Sequence, residues 1–203
     1  MQESQPVFLI PWENGRAFLP TIRDSIIHPY AFANRFPGGD VKPAVTYCLL
    51  VQLFSIVASA GASAVRKGQM LELIDAVGRE TEKALWLFGL TLMLAVLVHS
   101  IVRHARNDSH LSDAVRIAAY SLAVYTVLRL AVLPLFVFKL EGTRVGGTIA
   151  FALWTGPIAF SALFMVVAVR HRYQRSLTRS IFSVVGATLV LLLAIAVTTS
   201  VFR

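Results

Sequence analysis

The stretch that decides the fold runs from Asp113 to Phe138, DAVRIAAYSLAVYTVLRLAVLPLFVF, a long apolar run with a charge inside it. Arg116 opens it, Tyr120 and Tyr125 sit within it, and Arg129 lies about 20 Å further along a helical axis, ahead of Pro134. A helix of this length crosses about 30 Å of hydrocarbon and carries Arg129 into it, nearer the far face. An intramembrane arginine is costly on every scale, so it marks a functional site whose partner has to be identified.

The rest of the chain is lipid-compatible around that stretch. Of its 203 residues 56% are hydrophobic and 15% charged, with a mean hydropathy of +0.67, far from the composition of a soluble domain. Lys42 and Arg66 bracket 23 residues without Asp, Glu, Lys or Arg, Lys83 and Arg103 bracket 19, Arg144 and Arg170 bracket 25, and Arg179 and Arg203 bracket 23. Each is about the length that spans a bilayer. The expectation is an all-α polytopic membrane protein: an N-terminal tail over 1–42, then five transmembrane helices over 43–203, at about 43–65, 84–103, 115–138, 145–169 and 180–202.

The tail has no long uninterrupted apolar core and holds five of the eight prolines, which predicts a retained N-terminus and not a cleaved signal peptide. Within it, Thr21 to His28 puts Ile22, Ile26 and Ile27 on one side and Arg23 and Asp24 on another, the pattern of an amphipathic helix lying at the interface or on the bundle. Cys48 is the only cysteine, which excludes a disulfide framework and a thiolate metal site.

The net charge of +8 does not point to nucleic acid, because the basic residues are scattered through short connections and form no stripe. They speak to orientation. With the tail in the cytosol, the inner segments carry 11 Lys and Arg and the outer ones 7, and RHRYQRSLTR between the last two spans supplies most of the bias. This predicts N-terminus in and C-terminus out, in the inner membrane if the source is bacterial.

Three polar features stand out inside the spans. Arg129 needs partners at equal depth, and since no span offers a carboxylate, the candidates are Tyr125, Trp154 and Thr155, with Thr91 and Ser59 as further possibilities. Tyr47, His99, Tyr120 and Ser183 all lie about one turn inside the inner face, a depth forced by the topology, so a hydrogen-bonded inner-leaflet layer is expected. His99 has no second intramembrane histidine to share a metal or haem with, which favours a bonded bundle residue over a ligand. Pro134, and Gly156 with Pro157, interrupt the third and fourth spans, where a proline leaves the carbonyl four residues earlier without its donor. Ser55, Ser59 and Ser63 form a small-residue face that another protein's helix could approach closely. The connection RKGQMLELIDAVGRETEK has Met70, Leu71, Ile74 and Val77 in helical register and predicts a short surface helix.

All eleven acids lie in the tail or the connections, and no GxSxG, GxxxxGK[ST] or HExxH occurs. Catalytic, cofactor-binding and metal sites are therefore not expected.

PWE at Pro11–Glu13, HPYAFANRFPGG from His28 to Gly39, a histidine late in the second span, and AYS at Ala119–Ser121 early in the third, followed by Pro134, are short motifs that occur together. As a set they resemble the bacterial branch of the Yip1 family of five-span membrane proteins. WTGPIAF, Trp154–Phe160, departs from the pattern. Eukaryotic members act in vesicle traffic and bind small GTPases through the cytosolic tail, so the resemblance implies a non-enzymatic scaffold or adaptor. The alternatives are a small-molecule or lipid permease or scramblase, suggested by Arg129 and the proline breaks, and an accessory subunit of a larger membrane complex. The expected partners are membrane lipids and other membrane subunits or a second copy of the chain, and not nucleic acid.

Overall fold

The computed structural model of the chain describes residues 18–28, 32, 41–67, 73–103, 111–137 and 144–201. Side chains are described there except at 18–21, 66, 67, 103, 135–137, 144–150, 152–154 and 197–201. The elements are α1 (Phe18–Ile27), α2 (Lys42–Lys67), α3 (Leu73–Arg103), α4 (Leu111–Val137), α5 (Arg144–Arg172) and α6 (Leu177–Val201). Over the described residues α2, α3, α4 and α6 are long and apolar enough to cross a membrane, and α5 is 29 residues long. Large apolar side chains point outward all round, among them Phe54, Leu85, Trp86, Phe151, Phe182 and Leu193, each more than half exposed. Such a periphery suits a hydrocarbon solvent.

The long helices run up and down, so their ends gather at a tail side, where α1 sits, and a distal side. The central helix is α4. It packs against α2, α3 and α5 and receives α1, while α6 lies across α3 and α5. Buried residues make up 56% of its apolar window, against 33% in α2 and 22% in α3 and α6, although its mean hydropathy is the lowest of the four at 1.6. The two facts have one cause: only helices facing lipid need be apolar all round, and the enclosed one is free to carry small and polar residues. Ala114, Ala118, Ala119 and Ala123, all at most 3% exposed, let its neighbours approach closely.

Polar contacts then tie the seams. Gln52 Nε2 of α2 donates to Thr126 Oγ1 of α4 at 2.8 Å, deep in the bundle, and Ser161 Oγ of α5 donates to the Ser121 carbonyl of α4 at 2.8 Å. Ser55 and Ser59 are 6% and 8% exposed, beside the buried Ala60 and Ala64. The small-residue face is thus used inside the chain's own bundle, and is not presented to another helix there.

Three sequence expectations change. The short surface helix before the second span is instead the beginning of α3, which runs unbroken for 31 residues, about 46 Å. No proline interrupts it, Lys83 pairs with Glu80 one turn back, and the Thr81 hydroxyl satisfies the Val77 carbonyl. Ile74 and Val77 are exposed; Met70 and Leu71 lie outside the described residues. The tail helix starts three residues earlier than expected, and its inward face is Ile22 and Ser25, with Ile26 half-buried; Ile27 is 61% exposed. Finally, α4 and α5 continue as helices through Pro134 and Pro157; Pro134 and Gly156 are exposed and Pro157 is buried.

The α5–α6 connection is tight. Arg175 N–H donates to the Arg170 carbonyl at 3.0 Å and Gln174 N–H to the His171 carbonyl at 3.3 Å, with Gln174 at φ 49°. This is a helix-terminating pair of bonds around a left-handed residue. Ser176 Oγ then accepts the Arg179 N–H at 3.3 Å and caps α6.

Candidate functional site

At the tail side two clusters form on α4. In the first, the Phe32 ring enters the core edge-on to Tyr120, with centroids 5.1 Å apart and planes at 87°, and lies 6.1 Å from Phe164 of α5. Tyr47 of α2 also meets Tyr120, with centroids 5.7 Å apart and the rings tilted by 40°. All four are at most 4% exposed. One residue of the tail therefore bridges α4 and α5, with α2 joined to the cluster through Tyr47 and Tyr120, and edge-to-face aromatic pairs each contribute about 1 kcal/mol beyond area burial.

The second cluster is ionic. Asp113, in the first turn of α4, is 4% exposed, and its Oδ1 accepts both Arg116, one turn on, and Arg172 Nε of α5 at 2.9 Å. Arg116 is equally buried. A carboxylate here is favoured by the helix N-terminus as well as by the two guanidinium groups. Tyr173 follows Arg172 and places its hydroxyl 3.3 Å from His99 Nδ1 of α3. Burial pushes the Tyr173 phenol well above its usual range, helped by the Asp113 charge and opposed by Arg172 and Arg116. Burial and the Arg170 charge hold His171 below its usual value. Arg175 Nη2 donates to the Val102 carbonyl at 3.3 Å and so supplies a partner at the C-terminal end of α3.

The expected inner-leaflet layer is thus divided. Tyr47 and Tyr120 join the aromatic cluster, His99 faces Tyr173, and Ser183, half-buried, donates to the Arg179 carbonyl of its own helix. Tyr173, Asp113 and Arg172 were not singled out from the sequence. Asp113 and Arg116 have the i, i+3 spacing of a helical ion pair, a legible signal; nothing in the sequence links them to residue 172.

At the distal side Arg129 does have a carboxylate partner. Its Nη2 lies 3.5 Å from Glu80 Oε2, on the early turns of α3, and Glu80 Oε1 also holds Lys83 Nζ at 2.7 Å. The continuous α3 brings the acid alongside α4, where a separate surface helix would not. Arg129 and Tyr125 line an open groove of about 610 Å³ between the two helices, together with Arg79, Glu82, Lys83, Trp86 and Leu87. Thr155 is exposed and donates to the Phe151 carbonyl at 2.9 Å; the Trp154 side chain lies outside the described residues. Thr91 donates to the Leu87 carbonyl at 2.6 Å. Among the described residues no three His, Cys, Asp or Glu side chains gather as a metal site.

The family model of the Yip1 domain matches residues 23–199, from α1 to the end of α6. The chain belongs to the Yip1 domain family. Neither a curated protein nor a solved structure matches it. Family membership and the apolar helices together identify an integral membrane protein. In this Yip1-domain chain the match takes in both tail-side clusters and the distal groove, and the tail before residue 23 falls outside it.

Proposed function

We propose that this Yip1-domain protein is a non-enzymatic membrane scaffold or adaptor. In this reading α2 to α6 are five spans with the tail in the cytosol, the C-terminus outside, and the protein seated in a bacterial cytoplasmic membrane. The distribution of Lys and Arg supports that orientation. The observation that carries the functional reading is the seating of Phe32 among Tyr120, Tyr47 and Phe164. A tail anchored on a rigid base, next to the exposed Arg170 and Arg179, is a display surface. The polar groups beneath it bond to one another and not toward a cleft. The partner is a soluble cytosolic protein held by the tail and the α5–α6 turn, with other membrane subunits or a second copy against the lipid-facing helices.

Isolation of the full chain in mild detergent should recover a stoichiometric soluble partner, and Phe32→Ala should lose it while the bundle still folds. Recovery of nothing from wild type, or of the same partner with Phe32→Ala, would sink the adaptor reading. Reporters placed after Arg203 and near Asn107 should label from opposite sides; labelling from one side would remove the five-span arrangement.

A second reading, a lipid or small-molecule permease or scramblase, is favoured by the open groove at Arg129. It requires Arg129→Gln to abolish transport in reconstituted vesicles without unfolding the protein.

A further inference from the structure

The distal groove is built from two facing stripes. Arg79, Glu82, Lys83, Trp86 and Leu87 recur at three- and four-residue spacing on one face of α3, and Tyr125 and Arg129 are one turn apart on α4. The polarity is graded along its length. Arg79, Lys83 and Arg129 lie toward the distal end, whereas Trp86, Leu87 and Tyr125 lie about one turn nearer the middle of the bundle, since the two helices run antiparallel.

The cations there are incompletely neutralised. Glu80 serves both Lys83, at 2.7 Å, and Arg129, at 3.5 Å, and the second distance is longer than a charge-assisted hydrogen bond. Arg129 therefore retains most of its planar set of donors, with its side chain 30% exposed. Arg79 is exposed and forms no ion pair among the described residues. Among the described residues that line the groove or pair with its cations, Arg79, Lys83 and Arg129 face two carboxylates, Glu80 and Glu82, an excess of one positive charge.

We infer that this groove is a binding site for the phosphodiester headgroup of an anionic glycerophospholipid in the leaflet at the distal side. A phosphodiester carries the single negative charge the mouth lacks, and its non-bridging oxygens match the parallel donors of Arg129, with Arg79 as a second contact. Trp86 and Tyr125 sit where the glycerol ester level would fall, since rings with a polar tip favour the membrane interface. Leu87 continues toward the acyl region. Trp86 is 66% exposed, so the groove opens sideways to the bilayer, the direction from which a lipid would arrive. This inference does not depend on the adaptor reading.

Native mass spectrometry of the full chain in mild detergent tests it, by titration with dioleoylphosphatidylglycerol or dioleoylphosphatidylcholine. One phosphatidylglycerol should bind about tenfold more tightly than phosphatidylcholine, whose phosphodiester is the same but whose choline brings a cation to a mouth that is already positive. Arg129→Gln and, separately, Arg79→Gln should each erase most of that preference, and Arg179→Gln on the tail side should leave it intact. Arg79 keeps the test open should Arg129→Gln fold poorly. Equal binding of the two lipids, or equal loss of preference in Arg179→Gln, would overturn the site. Displacement of the lipid by millimolar inorganic phosphate would also overturn it, because the groove would then be a free-phosphate site.

Discussion

The two ends of α4 each hold an arginine against a carboxylate, and they do so in opposite ways. At the tail side Asp113 and Arg116 are both 4% exposed, and a second guanidinium, Arg172, itself a third exposed, reaches the same carboxylate from α5 at 2.9 Å. At the distal side Arg129 is 30% exposed, its contact to Glu80 is stretched to 3.5 Å, and a groove opens beside it. A closed ionic cluster cannot exchange partners without leaving a buried charge behind. An open one exchanges cheaply, because water or a headgroup can take over. The contrast teaches that, in this bundle, the buried polar cluster is a fastening and the half-exposed one is the place for a ligand.

The sharpest way to break the comparison is Asp113→Asn. It leaves the buried Arg116 beside a neutral amide, while Arg172, a third exposed, can turn to water, and loss of one partner of the buried Asp113–Arg116 pair costs about 3–5 kcal/mol. Thermal melts of the purified protein should fall accordingly, and a change no larger than that of a surface variant would show that the cluster is not a fastening. Phe32→Ala is next, removing about 3 kcal/mol of packing, the lower end for a buried aromatic. Because the tail is one element at the edge of the core, the loss should appear as faster proteolysis N-terminal to α2 with little change in the global melt.

Tyr173 gives the tail side a pH dependence. An unfolded phenol ionises near pH 10, whereas the folded one keeps its proton above that. Its contribution to stability is therefore complete below about pH 10 and declines as pH rises beyond it. Melts of wild type should fall faster than those of Tyr173→Phe in that range, and parallel curves would refute the role. The smallest effect belongs to Arg129→Gln, where a half-exposed pair should yield only about 0.5 kcal/mol. A loss comparable with Asp113→Asn would abolish the distinction between the two ends.

Much of this was legible along the chain. The apolar runs, read at 1.5 Å per residue, place α2, α4, α6 and the C-terminal end of α3 within a few residues, and the tail periodicity locates α1. Arg129 stood out as a charge inside an apolar stretch, and Tyr125 as its neighbour. The acids were harder. Asp113 and Glu80 read as residues of connections because they lie outside the charge-free runs, yet both belong to helices and one is buried. A hydropathy boundary marks where apolar composition stops, not where the hydrogen-bonded helix stops, and α3 begins at Leu73, eleven residues before the expected span.

The sequence by itself determined the membrane-helical class, because the cost of unpaired backbone in hydrocarbon leaves the helix as the form that a 20-residue apolar run takes. It also determined that α4 would be special, through the charge of Arg129 inside its apolar run. Only the tertiary structure decided which groups meet: Asp113 with Arg172, His99 with Tyr173, Gln52 with Thr126, and Arg129 with Glu80. Each of those contacts depends on the rotation of one helix about its axis and its stagger against a neighbour. A turn of about 100° per residue means that an error of one position moves a side chain from the seam to the lipid.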